Sequence, residues 1–218
     1  AAAQLLGAAQ VSNIYGASET YGNCCVTPHD WPLELRSTCQ GPPLPGVRLR
    51  IVDPETGEEL GRGRPGLIEV TGYLMRGYGG ASAEHNASVF TADGWFRSGD
   101  IGQLDEEGRV QFLGRSGEMI KRSGINVSPA EVEDALMQHP AVSQAGVVGV
   151  PDAEKGELIV AFVVPKPDAA LGAQELVAHC RAVASAYKVP DRIEIRAALP
   201  TTVTGKLLRR SLKDEAAA

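Results

Sequence analysis

The first half of the chain alternates short apolar runs with glycine and proline. Two such runs, at residues 47–52 and 67–70, are separated by a segment rich in turn residues, and this alternation predicts short antiparallel strands. Residues 101–105 and 109–114 are separated only by Glu106-Glu107-Gly108 and predict a hairpin. The segment just before Tyr15 could end a further strand, and the first ten residues read as the end of a helix.

Beyond residue 115 the pattern changes to longer elements. Ser128 and Glu131 have the spacing of a capping box, with Pro129 at the first helical position. Apolar residues at 132, 135 and 136 extend this helix to about residue 139, where Pro140 ends it. Two strands, a helix, a strand and a basic helix follow, predicted at 141–150, 157–164, 174–187, 192–196 and 206–213. This order predicts a compact α+β domain.

These patterns divide the chain near residue 115. Residues 115–218 have a complete set of helices and strands and are expected to form a self-contained domain. Residues 1–114 have strands and turns but few long helices, so we do not expect them to close a core alone.

Composition narrows the functional classes. The net charge of −6 argues against a surface built for nucleic acid, so any phosphate binding must be local. No apolar run reaches the roughly 18 residues of a membrane span. The four histidines share no metal-ligand spacing. Four cysteines without C-x-x-C spacing are typical of a reduced, cytoplasmic protein; they are Cys24, Cys25, Cys39 and Cys180.

Two segments of the first half carry candidate chemistry for a nucleotide. In Tyr15-Gly16-Ala17-Ser18-Glu19, the aromatic ring could stack on a purine, while the hydroxyl and the carboxylate could meet phosphate and Mg²⁺. Asp100 follows a glycine, and such a carboxylate suits a ribose diol. Taken alone, each is better explained as ordinary structure: a strand-to-loop turn, and a turn carboxylate that caps the next strand.

Two basic segments lie in the second half. Arg115, Lys121 and Arg122 surround two glycines ahead of a helix, which suits phosphate or a narrow ligand tunnel, although a solvated connection fits equally well. Lys206 follows Gly205 at a predicted helix start and could reach into another domain's site to neutralise charge. A surface loop is the simpler interpretation of Lys206 alone, since the first half of a P-loop is absent.

In this order and at these spacings, the four segments resemble the core motifs of adenylate-forming enzymes, the superfamily of acyl-CoA synthetases, peptide-synthetase adenylation domains and firefly luciferase. YGASET, FRSGDI, GRSGEMIKRSGINVSPAEVE and LPTTVTGK are similar to the family's nucleotide, ribose, hinge and terminal lysine motifs. The resemblance implies an α/β and α+β fold. Residues 1–114 would be the C-terminal portion of a large, strand-rich, barrel-like AMP-binding domain. Residues 115–218 would be a small mobile lid domain with its hinge near Gly117.

The resemblance also implies roles for individual residues. Lys206 and Lys121 would be catalytic in adenylation and in thioester formation, respectively, and Glu19 would hold Mg²⁺. Ser123 and Gly124 would line the coenzyme A channel. The nucleotide would be bound by Tyr15, Gly16, Ser18, Asp100 and Arg115.

The implied activity is the ATP-dependent ligation of a carboxylic acid to coenzyme A, with ATP, Mg²⁺ and coenzyme A as cofactors. Among the members of the superfamily, the motifs most resemble those of bacterial acyl-CoA ligases. Two alternatives stay open: an adenylation domain that loads a carrier protein, and an inactive piece that retains only nucleotide binding. Because the family's phosphate loop lies upstream of YGASET, we expect this chain to be inactive alone and to need the N-terminal portion of the same enzyme. We expect no nucleic-acid partner and no membrane span, and the enzyme could form a homodimer.

Three positions depart from the family's motifs. Ser18 replaces a threonine and keeps the hydroxyl, whereas Leu67 stands where a Gly-Glu-Leu motif has its carboxylate. Gly117 occupies the hinge position, which is usually Asp or Lys. Glycine can adopt either set of hinge dihedrals, so rotation would survive, but a salt bridge from that side chain would not.

Overall fold

The computed structural model describes residues 7–8, 10–203 and 205–217 of the chain. The chain divides into two compact units, Ala1–Ser116 and Gly117–Ala218, referred to below as unit 1 and unit 2. The helix end predicted in the first ten residues falls largely outside the described residues.

Unit 1 contains two antiparallel sheets. β1 (Ile14–Ala17) pairs with β2 (Gly22–Val26) as a short hairpin. The second sheet has the order β3-β4-β5-β6, and its strands are Arg48–Val52, Gly66–Thr71, Phe96–Leu104 and Val110–Arg115. Two short helices lie in the connections, α1 (Leu33–Thr38) and α2 (Ala83–Val89). The strands predicted at 47–52 and 67–70 and the hairpin are confirmed, although β5 begins earlier than expected, at Phe96. The strand expected to end just before Tyr15 instead begins at Ile14 and includes Tyr15.

The four-stranded sheet is open in the described residues, with β3 and β6 at its edges, so it does not show the barrel-like closure that was expected. Small closed barrels are built from about eight strands, and four cannot surround a core. Residues of the β1–β2 hairpin share one buried hydrophobic cluster with residues of the sheet. The buried members of this cluster are Tyr15, Cys24, Cys25, Ile51, Ile68, Val70, Phe96 and Val110.

The described residues of unit 2 form one five-stranded sheet and three α-helices. The strands are β7 (Ile120–Arg122), β8 (Ile125–Val127), β9 (Val142–Asp152), β10 (Gly156–Pro165) and β11 (Arg192–Ile195). β9 pairs antiparallel along the whole of β10. β7 and β11 share the other edge of β10, β7 at Gly156 and β11 in parallel from Val160 to Val163. The helices are α3 (Pro129–Met137), α4 (Ala173–Val183) and α5 (Arg209–Ala216).

β10 separates two hydrophobic cores, because alternate side chains of a strand point to opposite faces of the sheet. Ile159 and Ala161 face a larger cluster that includes residues of α3 and α4. Val160 and Phe162 face a smaller cluster that includes Leu212 of α5. The predicted α+β arrangement is therefore confirmed. None of the described helices has the length and apolar character needed to cross a membrane.

Helix α3 is confirmed, but its predicted capping box is wrong. Val132, Ala135 and Leu136 are buried, as their spacing predicted. Ser128 lies at the N-cap position, yet its side chain makes no capping hydrogen bond. The Glu131 carboxylate pairs instead with Lys188, which is distant in sequence (Oε1 to Nζ 2.8 Å). A capping box would require this carboxylate to accept from the backbone of the N-cap residue.

Two helix boundaries also differ from the predictions. α4 ends at Val183 because residues 185–188 form a separate turn, in which the Lys188 amide donates to the Ser185 carbonyl at 2.8 Å. α5 begins at Arg209, not at Lys206, because the preceding residues form a tight turn closed by a bridge between Thr201 and Leu207. The β7–β8 hairpin was not predicted, since strands of three residues are too short to show alternation.

Candidate functional site

Three residues predicted from separate motifs meet in unit 1. The Tyr15 hydroxyl on β1 donates to Asp100 Oδ2 at 2.7 Å, and Arg115 Nε lies 3.0 Å from Asp100 Oδ1. Asp100 and Arg115 are direct partners in the β5–β6 ladder, so the strand register brings the cation to the carboxylate. The Asp100 side chain is 5% exposed and that of Arg115 is 58% exposed, so the cluster has one buried and one open end.

Tyr15 is a neutral hydrogen-bond donor in this cluster. Burial, together with the Asp100 carboxylate, raises the pKa of its phenol far above the ordinary value. Its ring packs in the core of unit 1, which leaves little of it to stack on a purine. The Phe112 ring lies 6.2 Å away and is exposed, and the sequence analysis did not identify it.

Gly16 is required by the packing of β1 on β2. A Cβ atom at this position would lie 1.8 Å from the carbonyl oxygen of Gly22. The strands could not approach this closely with any larger residue. The close approach of the two strands therefore explains why position 16 is glycine, which the spacing of the motif alone did not show.

Ser18 and Glu19 open a short 3₁₀ turn, Ser18–Thr20, directly after β1. Ser18 is exposed, and the Glu19 carboxylate accepts a hydrogen bond from the Tyr78 hydroxyl. This hydrogen bond raises the pKa of Tyr78. Tyr78 lies 59 positions along the chain from Glu19, so no local pattern indicated the contact.

A single carboxylate of this kind fits Mg²⁺ only together with other ligands. In phosphate-transfer sites Mg²⁺ is held by one or two carboxylates and by phosphate oxygens of the substrate. The described residues contain no cluster of three or more His, Cys, Asp or Glu side chains that could hold a metal without such help.

The β7–β8 hairpin brings Lys121, Ser123 and Gly124 together in unit 2. Ser123 and Gly124 form its turn, with φ angles of 49° and 81°, which is the geometry of a type I′ turn. A Cβ at Gly124 would meet no atom within 4 Å, so the space over the turn is open. Lys121 is exposed on β7 opposite Asn126.

Lys206 lies on a different element of unit 2, the turn before α5. The Thr202 amide donates to the Lys206 carbonyl at 2.8 Å, and the Lys206 amide donates to the Thr202 hydroxyl at 3.1 Å. Gly205 has a φ of 82°, which permits the tight turn. These hydrogen bonds fix the backbone of Lys206, whose side chain is exposed.

Gly117 is the first residue of unit 2 and lies in the 3₁₀ turn Ser116–Glu118. A Cβ at this position would meet no atom within 4 Å. The next residue, Glu118, pairs with Arg209 at 2.9 Å, and Arg209 also donates to Glu133 at 2.9 Å. The chain is therefore anchored to unit 2 immediately after Gly117.

Leu67 stands where the family's motif has a carboxylate, but the same strand carries a buried carboxylate two residues later, at Glu69. Glu69 lies 2.7 Å from Arg50 and 3.5 Å from Arg97, and its side chain is 5% exposed. A buried carboxylate needs such cationic partners. The structure gives no reason for leucine at position 67.

Sequence comparison places both units in one class of protein. Residues 1–79 match the family of AMP-binding enzymes, and residues 131–206 match the C-terminal domain of AMP-binding enzymes. The chain belongs to this adenylate-forming superfamily.

Named relatives agree with this assignment. A long-chain-fatty-acid–CoA ligase of Escherichia coli O157:H7 is 39% identical over 203 residues, which are 93% of this chain and 35% of the ligase. ATP-bound MatB from Rhodopseudomonas palustris superposes with a TM-score of 0.86 at 35% identity, over 94% of this chain and 40% of MatB. The o-succinylbenzoate CoA synthetase MenE from Bacillus subtilis, in complex with its acyl-adenylate intermediate, gives 0.86 at 32% identity, over 98% of this chain and 43% of MenE. The chain thus spans about a third of the length of the curated relatives it matches.

Proposed function

We propose that this chain supplies about a third of an ATP-dependent acid–thiol ligase, which activates a carboxylic acid as acyl-AMP and transfers the acyl group to coenzyme A. The observation that carries the proposal is the meeting of Tyr15, Asp100 and Arg115 in unit 1. Three separate motifs of a nucleotide-activating family converge there on one buried carboxylate. Relatives named as CoA ligases, and one solved with an acyl-adenylate, support coenzyme A as the acceptor.

In unit 1, Asp100 and Arg115 would hold the ribose hydroxyls. The Asp100 carboxylate is fixed by two partners before any ligand arrives, and a fixed acceptor loses little entropy when a hydroxyl binds. Ser18, exposed beside Gly16, would contact phosphate oxygen. Mg²⁺, when held by Glu19, would offset phosphate charge.

In unit 2, Lys121 and Lys206 would serve different half-reactions. Lys206 would neutralise the charge that develops as a carboxylate oxygen attacks the α-phosphorus, forming the acyl-phosphate bond while pyrophosphate leaves. Lys121 would act when the thiol of coenzyme A attacks the acyl carbon and AMP leaves. The pantetheine arm would pass over the open turn at Ser123 and Gly124.

Rotation about Gly117 would present the two lysines in turn. Hinges are a few residues at element ends that absorb a change in backbone dihedrals. Gly117 is suited to this because it carries no Cβ and the chain on either side belongs to separate units. Unit 2 would then be the mobile lid and unit 1 part of the AMP-binding domain.

Both half-reactions of the complete enzyme test the proposal. We expect Lys206→Ala to reduce ATP–pyrophosphate exchange by roughly 10²–10³-fold, the usual loss of one preorganised charge donor, while supplied acyl-AMP is still converted to acyl-CoA. Lys121→Ala and Gly124→Leu should show the reverse pattern, the latter by blocking the pantetheine arm.

Lys166→Ala, at an exposed lysine of unit 2, is the matched control and should change neither step. Equal slowing of both steps by Lys206→Ala, or an effect of Lys121→Ala on exchange as large as that of Lys206→Ala, would contradict the assignment.

A further inference from the structure

The β7–β8 hairpin cannot hold its position by strand pairing alone. Each strand has three residues, and an isolated two-stranded hairpin is marginally stable in water. In the part of the chain that the structure describes, one ladder pair joins it to β10, between Arg122 and Gly156. Contacts outside the ladder must therefore fix the residues proposed to serve the thioester step.

Asp191, immediately before β11, provides one such contact. Its Oδ1 accepts from Arg122 Nη2 and from Lys155 Nζ, both at 2.8 Å, and its Oδ2 accepts from the Ile159 amide at 2.9 Å. The carboxylate thus has three donors on three different segments, two of them cationic. Only 13% of the side chain is exposed, so solvent weakens these bonds little.

Arg122 extends the connection from β7. Its Nη1 donates to the carbonyl oxygens of Tyr187 (3.2 Å) and Val189 (2.8 Å), which lie in the segment that leads to Asp191. A planar guanidinium can satisfy these acceptors and the carboxylate together, whereas an ammonium group cannot. Arg122 therefore links β7 to the start of β11.

The main chain of the hairpin is held from the same side. The Lys121 amide donates to Glu157 Oε2 at 2.7 Å, and the Ser123 amide donates to the Lys155 carbonyl at 2.7 Å. Lys155 consequently contacts Asp191 through its side chain and Ser123 through its carbonyl. The Asp191 carboxylate is therefore connected to Arg122 directly and to Ser123 through Lys155, while Glu157 holds the Lys121 amide separately.

We propose that Asp191, through Arg122 and Lys155, is a positioning residue that holds the β7–β8 hairpin in the geometry needed for thioester formation. The inference rests on the role proposed above for Lys121. Asp191 does not act on the substrate; it fixes where Lys121, Ser123 and Gly124 lie. The turn that carries Lys206 is closed by its own hydrogen bonds, so loosening the hairpin should leave adenylation unaffected.

Hydrogen exchange on this chain tests the positioning itself. In Asp191→Ala and Arg122→Lys, the amides of Lys121 and Ser123 should exchange about 10-fold faster or more, with the Val148 and Phe162 amides of the central strands unchanged. Glu194→Gln, which removes an ion pair on β11, is the control and should change none of them. If Asp191→Ala unfolds unit 2, the positioning role is tested with Arg122→Lys alone, because this variant keeps the positive charge. Unchanged hairpin amides in Arg122→Lys would overturn the proposal.

The half-reactions of the complete enzyme then test the consequence. Both variants should lower kcat/KM for coenzyme A about 10-fold or more in the conversion of acyl-AMP, with ATP–pyrophosphate exchange within about twofold of normal. Equal losses in both steps would overturn the positioning role, because general destabilisation predicts that result. If the hairpin loosens but neither these variants nor Lys121→Ala slow thioester formation, the function proposed for the hairpin is wrong, although Asp191 still holds it in place.

Discussion

At the scale of single residues, Asp100 is a buried carboxylate with a hydrogen-bond donor on one oxygen and a guanidinium near the other. A buried carboxylate is costly unless it is paired, and Asp100 has Tyr15 on one oxygen and Arg115 on the other. The two partners come from β1 and β6, so Asp100, the residue proposed to bind the ribose, also connects distant parts of unit 1. A substitution at this cluster should therefore change stability as well as nucleotide binding.

Tyr15→Phe should separate these effects, since it removes the hydroxyl and keeps the ring. We expect unit 1 to lose about 1.5–3 kcal/mol, the usual value for a hydrogen bond to a charged group. Both tryptophans, Trp31 and Trp95, lie in unit 1, so denaturant unfolding followed by tryptophan fluorescence measures it directly. Tyr21→Phe, at a tyrosine that is 74% exposed, should cost less than about 0.5 kcal/mol. Equal losses in both variants would mean that the hydroxyl contact with Asp100 is unimportant.

The buried thiol of Cys25 should make the stability of unit 1 depend on pH. Burial raises the pKa of its thiol from 9.0 to about 12. Between these values the unfolded chain releases the thiol proton while the folded chain retains it, so the unfolded state is favoured as pH rises. This contribution to stability is complete below pH 9 and should be lost between pH 9 and 12. The slope is about 1.4 kcal/mol per pH unit for one proton.

Cys25→Ala should reduce that slope by the contribution of one proton, about 1.4 kcal/mol per pH unit. The loss of the sulfur should also lower the free energy of unfolding at neutral pH. The measurement is the free energy of unfolding at several pH values, followed by tryptophan fluorescence. Cys180→Ala, at a buried cysteine of unit 2, is the control and should leave the slope of unit 1 unchanged. A slope equal to that of the unmodified chain in Cys25→Ala would refute the assignment.

At the scale of elements, periodicity predicted what is local and missed what depends on distant partners. The spacing of Val132, Ala135 and Leu136 identified the buried face of α3. The capping box failed because Lys188, far along the chain, takes Glu131. Likewise, motifs identified Asp100 and Arg115 separately, but only the strand register shows that they touch. Tyr78 and Asp191 carry no local signal and required the fold.

The attachment of α5 to α3 depends on a mostly buried ion pair. Arg209 donates to Glu133 Oε2 at 2.9 Å and to the Val147 carbonyl at 3.0 Å. Hydrogen bonding to Glu133 raises the pKa of Arg209. The Val147 amide in turn donates to Glu133 Oε1 at 2.8 Å. Removing the guanidinium would leave this carboxylate without its cation.

We therefore expect Arg209→Met to destabilise unit 2 by about 2–3 kcal/mol, somewhat below the cost for fully buried pairs. Hydrogen exchange of the β9 and β10 amides measures this. Arg210→Met, at the exposed neighbouring residue, should change it by less than about 0.5 kcal/mol. Glu133→Gln combined with Arg209→Met should recover part of the loss. If the two single arginine variants behave alike, the pair does not stabilise the helix.

At the scale of the whole molecule, each unit encloses hydrophobic residues of its own. The buried cluster of unit 1 uses residues from Tyr15 to Val110, and the two clusters of unit 2 use residues from Ile120 to Ala216. A segment with its own core can unfold as its own cooperative unit. A lid that rotates about a hinge between two catalytic steps would need this independence.

Paired substitutions test whether the units unfold separately. Gly16→Ala places a Cβ against Gly22 and should destabilise unit 1 by about 3 kcal/mol, because overpacking forces the strands apart. It should lower the transition followed by tryptophan fluorescence and leave hydrogen exchange of β9 and β10 unchanged. Arg209→Met should have the opposite selectivity, and the double variant should show both losses, since effects at independent sites add. Gly79→Ala, at an exposed glycine with no neighbour within 4 Å of a Cβ, is the control for unit 1. If either substitution lowers both transitions equally, the chain unfolds as one cooperative body, and unit 2 is not the separate lid that the proposed mechanism requires.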